Sequence, residues 1–335
     1  MNSNTEQPAG KKLKVKGAPT THLPPLSERP LVSVIVPSYN QGRFIKETID
    51  SALSQDYRPI EVIVIDGAST DNTLNVLHTY DGAPGVEWVS EPDKGVADAV
   101  NKGLAKARGE ILAIQSSDDY YLPGAVSRAV KFLKQHAAVA LAYGDVDYVD
   151  EHSCLVRHET LPAFTLKDYL GRFTYVPQPS AFFRAEAAKA VGGWRSEVSY
   201  AADADYWLRI AVKFEVAKID AVMGCYRYHR EQRNTQSARI ERDWEKTIRD
   251  LLALNRLDRT ARRFACMGVH LAKYKYGPES AWLRRTAHLY IAAAVNPLAV
   301  RHPLFPKQEL LVGRQPVWKF LSKIKRKLGF KPRTA

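Results

Sequence analysis

The sequence predicts an α/β fold of the doubly wound kind, a mostly parallel central sheet flanked by helices. Two observations predict it. Apolar, β-branched runs alternate with segments of helical spacing between Leu31 and Ile114, and such alternation builds parallel strands joined by crossover helices. Two of those runs also end in acids: Val62-Ile63-Val64-Ile65 delivers Asp66, and Ile111-Leu112-Ala113-Ile114 leads into Asp118-Asp119. Parallel strands that end in carboxylates make an acidic crevice at the sheet edge, where open α/β sheets bind ligands. Adjacent carboxylates there can hold a hard divalent cation, and the cation a diphosphate.

The elements follow in order. Residues 1–30 are rich in Pro, Thr and Lys and read as a mobile tail. Leu31 to Val36 is a strand closed by Pro37-Ser38-Tyr39-Asn40. Phe44, Ile45, Ile49, Ala52 and Leu53 recur at helical spacing. Glu61 to Ile65 is the second strand, and Ser69 can cap the helix carrying Leu74, Val76 and Leu77. Val86 to Val89 is a third strand, Val96 to Ala107 a helix ended by Gly109, and Ile111 to Ile114 the fourth strand. Beyond residue 120 the pattern loosens. Helices are predicted over Pro123 to Gln135, Ala185 to Val191 and Asp203 to Val212. Val139 to Val149 reads as strands divided at Gly144, and Val216 to Tyr228 reads as strand. From about Arg239 the chain is helical and basic.

Composition narrows the function. With 45% hydrophobic and 25% charged residues the chain is globular rather than disordered. The net charge of +13 asks for an anionic partner. Nucleic acid is not expected, because no zinc pattern or aromatic-interleaved basic strand supports it. Cys154, Cys225 and Cys266 have no metal-ligand or redox spacing, which fits a reducing cytosol. No run approaches transmembrane length, and no apolar segment follows the basic N-terminus as a secretory signal would require.

The motifs then come in a fixed order: Pro37-Ser38-Tyr39-Asn40; Asp66-Gly67-Ala68-Ser69-Thr70-Asp71; Glu91-Pro92-Asp93-Lys94-Gly95; Asn101-Lys102-Gly103 with Ala107-Arg108-Gly109; Ser117-Asp118-Asp119; and Asp203-Ala204-Asp205-Tyr206-Trp207. Together they resemble a family 2 glycosyltransferase of the GT-A fold over roughly residues 31 to 230, similar to bacterial enzymes of cell-surface polysaccharide synthesis. The resemblance implies that Pro37 and Tyr39 line a nucleotide base, that Asp66 reads the base or ribose, and that Lys94 lies near the nucleotide or its phosphates. It implies a divalent metal, Mn²⁺ or Mg²⁺, at Asp118 and Asp119, with Asp119 touching the ion and His229 able to complete the metal or phosphate site. It makes Asp203 the general base of an inverting transfer.

Chemistry supports those roles. A leaving nucleoside diphosphate gains negative charge, which a cation neutralises as a Lewis acid. An acceptor hydroxyl must lose a proton during attack, and a carboxylate on the opposite face can take it. Plainer readings compete at several positions. Ser69 and Asp71 are ordinary turn and cap residues, and Asp93 can simply hold its turn. Asp205 lies two residues after Asp203 on a helix and so faces elsewhere. His229 can be a surface histidine, and Trp194 either flanks an acceptor sugar or fills core. Two positions depart from the usual family pattern: Gly67 and Ala202 stand where many members carry acids.

At the C-terminus, Val317, Phe320, Leu321, Ile324 and Leu328 recur at spacings of three and four among Lys319, Lys323, Lys325, Arg326 and Lys327. Such a basic amphipathic segment suits an anionic membrane surface. The expectation is a transferase domain over 31–235 with a basic helical region over 236–335. It acts at the cytoplasmic face of the plasma membrane, moving a sugar from a nucleotide-sugar donor, expected to be a UDP-sugar, to a lipid-linked glycan acceptor. A sugar-nucleotide nucleotidyltransferase is the nearest enzymatic rival, but Pro37-Ser38-Tyr39-Asn40-Gln41-Gly42-Arg43 is a poor match to its phosphate loop. A membrane-associated assembly protein with a retired site is the other rival, opposed by the retention of Asp66, Asp119 and Asp203 together.

Overall fold

The computed structural model describes residues 23–230, 232, 237–277 and 281–310. Strands β1 (Val32–Ser38), β2 (Ile60–Asp66), β3 (Val86–Ser90) and β4 (Ile111–Ile114) alternate with helices α1 (Ile45–Leu53), α2 (Thr73–His78) and α3 (Val96–Lys106). After β4 come β5 (Tyr120–Tyr121), α4 (Ala125–Gln135), β6 (Val139–Val149), β7 (Leu155–Glu159), α5 (Leu166–Leu170), β8 (Ala181–Arg184), α6 (Ala185–Val191), α7 (Ala202–Lys213) and β9 (Glu215–Arg227). Helices α8 (Ser237–Ala253), α9 (Arg259–Tyr276) and α10 (Trp282–Val295) follow.

The described strands form one sheet in the order β3-β2-β1-β4-β8-β6-β9-β5, with β7 paired to β6. The first four run parallel. Beyond β4 the sheet is mixed: β8 is antiparallel to both of its neighbours, and β9 runs parallel to β6. Period-two alternation divides the core between the two faces. Val32, Val34 and Val36 pack with Ile45 and Ile49 of α1 and Val126 and Leu133 of α4. Ile35, Leu112 and Ile114 pack with Val100 of α3 and Tyr206, Trp207 and Ile210 of α7. Both faces are covered, which is why these strands are apolar throughout. Gly103 is required where α3 crosses β1, because a Cβ there would run into the Ile35 side chain.

The basic helical region joins this core. Trp244, Ile248 and Leu251 of α8 and Ala261, Ala265 and Ala272 of α9 belong to the same cluster as the α7 aromatics. Met267 and Leu271 on the next face of α9 pack with Leu289 and Ala292 of α10, and with Phe173 and Phe305. Among the described residues no helix is long and apolar enough to cross a membrane.

Two sequence expectations change. The N-terminal tail was expected to run to residue 30, but residues 23–30 are held down. Leu23 is buried, Ser27 donates through N–H and hydroxyl to Glu110, and Arg184 donates to Pro24 O. Prolines leave carbonyls without matching N–H groups, and side-chain donors take those up. Second, Gly144 does not divide a strand: β6 is continuous, and its register against β9 shifts around this residue. A Cβ at 144 would stand 2.6 Å from Ala221 O, so the glycine permits a close approach rather than a break. The amphipathic pattern expected over 317–328 lies outside the described residues.

Candidate active site

The parallel strands bring their carboxyl ends into register, Ser38 beside Asp66 and Asp66 beside Ser90. The loops that follow are stitched together. Asn40, at φ +54°, donates its backbone N–H to the Ser69 hydroxyl oxygen at 2.7 Å and accepts through Oδ1 from Thr70 N–H at 2.8 Å. Asp71 accepts from Gly42 N–H at 3.0 Å and Thr73 N–H at 2.9 Å, so it acts as a loop residue. Asp66 is fully buried. It accepts from Ser69 N–H at 2.9 Å, from the Ser69 hydroxyl at 2.5 Å and from the Ser90 hydroxyl at 2.7 Å. These three bonds shape the loop and occupy three of the roughly four lone-pair positions of the Asp66 carboxylate. Pro37 is buried at the end of β1, whereas Tyr39 and Lys94 are exposed at the same edge.

Asp118 and Asp119 form the turn after β4, and β9 organises them. Arg227 N–H donates to Asp119 Oδ1 at 2.9 Å, and Arg227 Nε donates to Asp118 O at 2.7 Å. The rest of that buried guanidinium reaches Glu47 Oε2 at 2.5 Å, Asp150 O and the Ser153 hydroxyl. His229 Nε2 lies 2.9 Å from Asp118 Oδ2, with its ring against Phe44. Burial holds the Asp119 carboxyl well above the usual range, and the neighbouring Asp118 charge adds to that. A cation bound there would relieve both effects.

The expected metal set meets this geometry only in part. Among the described residues no group of three or more His, Cys, Asp or Glu converges to hold a metal. His229 is paired with Asp118, and one Asp119 oxygen is taken by Arg227 N–H, so the protein alone builds no cage. The donor chemistry still suits Mg²⁺ or Mn²⁺, since Mg²⁺ is ordinarily bound by one or two carboxylates together with substrate phosphates.

Asp119 and Ser116 line a cavity of about 820 Å³, and Asp203 lines it as well. Trp194, Tyr226, Tyr228, Trp244 and Tyr276 contribute aromatic wall. Asp203 and Asp205 both lie in the first turn of α7 but face apart. Asp203 is half-buried on the cavity, whereas Asp205 is 1% exposed and accepts from Arg195 at 2.6 Å, Arg209 at 2.7 Å and the Thr247 hydroxyl at 3.1 Å. Trp194 is held on the wall by Asn101, which accepts from Trp194 N–H at 2.7 Å and donates to Trp194 O at 2.9 Å.

Comparisons with known proteins agree with this architecture. Residues 33–191 match the family described as Glycosyl transferase family 2. An uncharacterised glycosyltransferase of Mycobacterium tuberculosis is 34% identical over 201 residues, which cover 59% of this chain and 75% of the relative. The chain belongs to glycosyltransferase family 2. It is also similar to a chondroitin synthase of Escherichia coli, 26% identical over 255 residues, or 76% of this chain and 35% of that one. Among solved structures it is similar to residues 1–349 of S. aureus TarS in complex with UDP-GlcNAc, with TM-score 0.61, 19% identity, and coverage of 80% of this chain and 82% of that one. A Pyrobaculum calidifontis mannosyltransferase in complex with GDP-Man and Mn²⁺ gives TM-score 0.59 and 23% identity, covering 90% of this chain and 86% of that one. These likenesses establish the shared fold.

In this family 2 glycosyltransferase the Gly67 departure has a steric reason. A Cβ at 67 would stand 2.6 Å from Asp93 Oδ2, so the Asp93 carboxylate fills space beside the loop that an acidic side chain would enter. Sequence reasoning missed Arg227, Glu47 and the tyrosine wall. The signal was present in Tyr226-Arg227-Tyr228, because strand alternation puts the tyrosines on one face and the arginine on the other. Tyr148 stacks on Tyr228 with ring centroids 5.0 Å apart, and its hydroxyl lies 2.8 Å from that of Tyr175.

Proposed function

We propose that the enzyme is an inverting glycosyltransferase that extends a glycan in polysaccharide synthesis, taking its sugar from a nucleotide-sugar donor. The observation that carries the reading is that Asp119, at the donor-side sheet edge, and Asp203, at the start of α7, line one cavity. The donor lies along the carboxyl edge of β1 to β4. Pro37 and Tyr39 flank the base, Asp66 reads the base or ribose, and Lys94 meets phosphate charge. Asp118 and Asp119, with His229 against Asp118, hold Mn²⁺ or Mg²⁺ beside the donor diphosphate. When bound, the ion supplies Lewis-acid neutralisation of the leaving diphosphate.

Asp203 accepts the proton of the acceptor hydroxyl as its oxygen attacks the anomeric carbon. The new glycosidic bond forms as the bond to the nucleoside diphosphate breaks, on opposite faces of the sugar, so the anomeric configuration inverts. Support for the donor class comes from the complexes of the structural neighbours with UDP-GlcNAc and with GDP-Man and Mn²⁺, and support for polysaccharide work from the relative named chondroitin synthase. UDP is the expected nucleotide.

The acceptor is a lipid-linked glycan, and the enzyme works on the cytoplasmic face of the plasma membrane. The net charge of +13 supports contact with an anionic surface. So does the outer side of α10, where Leu283 and Ile291 are exposed, along with Leu298 just beyond it. Binding of UDP, GDP and dTDP, with and without Mn²⁺, to wild type and Asp119→Ala tests the donor site. Metal-dependent binding of one nucleotide, lost in the variant, is expected; absence of binding by all three would reject the reading.

A further inference from the structure

Beyond Asp203 the cavity is walled by Arg172, Trp244, Lys275 and Tyr276. Arg172 closes α5. Its N–H donates to Tyr169 O at 3.1 Å, and Phe173 N–H donates to Asp168 O at 2.8 Å. Those paired bonds are a Schellman cap, whose left-handed position is ordinarily glycine. Here it is arginine, at φ +61°. Glycine adopts such a φ without strain and arginine does not. The turn itself therefore gives no reason for an arginine, and backbone strain of this kind collects at ligand sites.

The side chain supplies the reason. The Arg172 guanidinium lies 4.7 Å from the Trp244 ring centroid and 5.5 Å from that of Tyr276, and it donates to the Tyr276 hydroxyl at 2.8 Å. Lys275 Nζ lies 5.4 Å from the same Tyr276 ring. Among the described residues no carboxylate stands within ion-pair distance of Arg172 or Lys275. Trp244 is fully buried, and its indole N–H has no acceptor among them. A stacked guanidinium keeps edge donors for a planar or tetrahedral oxyanion.

We infer that this end of the cavity binds an anionic group of the acceptor, a phosphate or a sugar carboxylate. The inference rests on the cavity beside Asp203 being the acceptor site. The experiment compares glucose 1-phosphate, methyl glucuronide and neutral methyl glucoside by ligand-observed NMR, with Arg172→Gly, Arg172→Lys, Lys275→Gln and the Arg172→Gly/Lys275→Gln pair. Arg172→Gly removes the side chain while relieving the cap, so it keeps the fold.

The wild type is expected to prefer one anionic probe over the neutral one by about tenfold, a charge-assisted recognition. Arg172→Gly loses that preference, Lys275→Gln weakens it, and Arg172→Lys retains part of it. Response to the phosphate or to the carboxylate names the source. Equal binding of all three probes, or a preference that survives in the double variant, would overturn the inference. UDP and GDP binding is measured on the same samples. Its absence from wild type would count against the donor reading alone, since the anion preference is scored separately.

Discussion

The backbone N–H of Arg227 donates to Asp119 Oδ1 at 2.9 Å while its own side chain donates to Asp118 O at 2.7 Å. One residue of β9 thus grips both halves of the acidic turn. Arg227→Met leaves the Asp118 and Asp150 carbonyls and Glu47 without their donor. A loss of about 2–4 kcal/mol is expected, because unpaired buried groups cost more than the bond contributed. Denaturant unfolding measures it. Arg227→Lys recovers little, since an ammonium cannot reproduce the guanidinium fork. Full stability in Arg227→Met would contradict this account.

Asp203 and Asp205 separate chemistry from architecture within one helical turn. Asp203→Asn is expected to lower kcat by about 10²–10⁴, the usual range for a general base, with nucleotide binding and melting temperature unchanged. Asp205→Asn removes a charge buried between Arg195 and Arg209, so it lowers stability by about 2–4 kcal/mol. Rate measurements and thermal melts on the pair decide. Equal rate loss in a folded Asp205→Asn enzyme would remove the distinction.

His270 of α9 and His288 of α10 face each other with Nδ1 atoms 3.0 Å apart. Burial holds both below the ordinary histidine value of 6.5; Lys273 presses on both, His270 and Arg284 press further on His288, and Glu245 opposes. The folded pair resists protons that the unfolded chain accepts. Stability from this contact is therefore complete above about pH 6.5 and declines as pH falls below it. Melting temperature between pH 7.5 and 5 should drop, and less so in a His270→Gln/His288→Gln protein. A profile with the same slope in both proteins would refute the assignment.

Gly67 and Asp93 compete for one volume. Gly67→Asp places a side chain against the Asp93 carboxylate and adds like-charge repulsion, so it lowers stability by about 1–3 kcal/mol. Asp93→Gly in the same chain restores part of the loss. A double-mutant cycle measures the coupling, and strictly additive effects would show that the two positions do not meet.

The first half of the fold was legible because each buried strand is a short apolar run punctuated by a turn, and each crossover helix shows period. The second half was not. β8 is the four-residue run Ala-Phe-Phe-Arg, too short to carry a pattern, and β7 has its apolar Leu155 and Val156 exposed. Gly144 misled because glycine marks both breaks and close approaches. Within the site, the acids were legible as strand ends. Their environments were not: Asp66 accepts from Ser69 and Ser90, and Arg227 commands the acidic turn across 108 residues of chain. Long-range partners leave no local trace in a sequence.

The family match ends at residue 191, yet Asp203, Tyr228, Trp244 and Tyr276 all lie beyond it on the cavity wall. On the proposed function, the base Asp203 and much of the aromatic wall thus lie after the matched stretch, while Arg172 of the inferred anion subsite lies inside it. A chimera joined after α6 would keep the acidic turn and Arg172 and take Asp203 and much of the aromatic wall from its new C-terminal half. On the proposed function, the choice of what is lengthened would then be shared across that joint rather than held on one side of it.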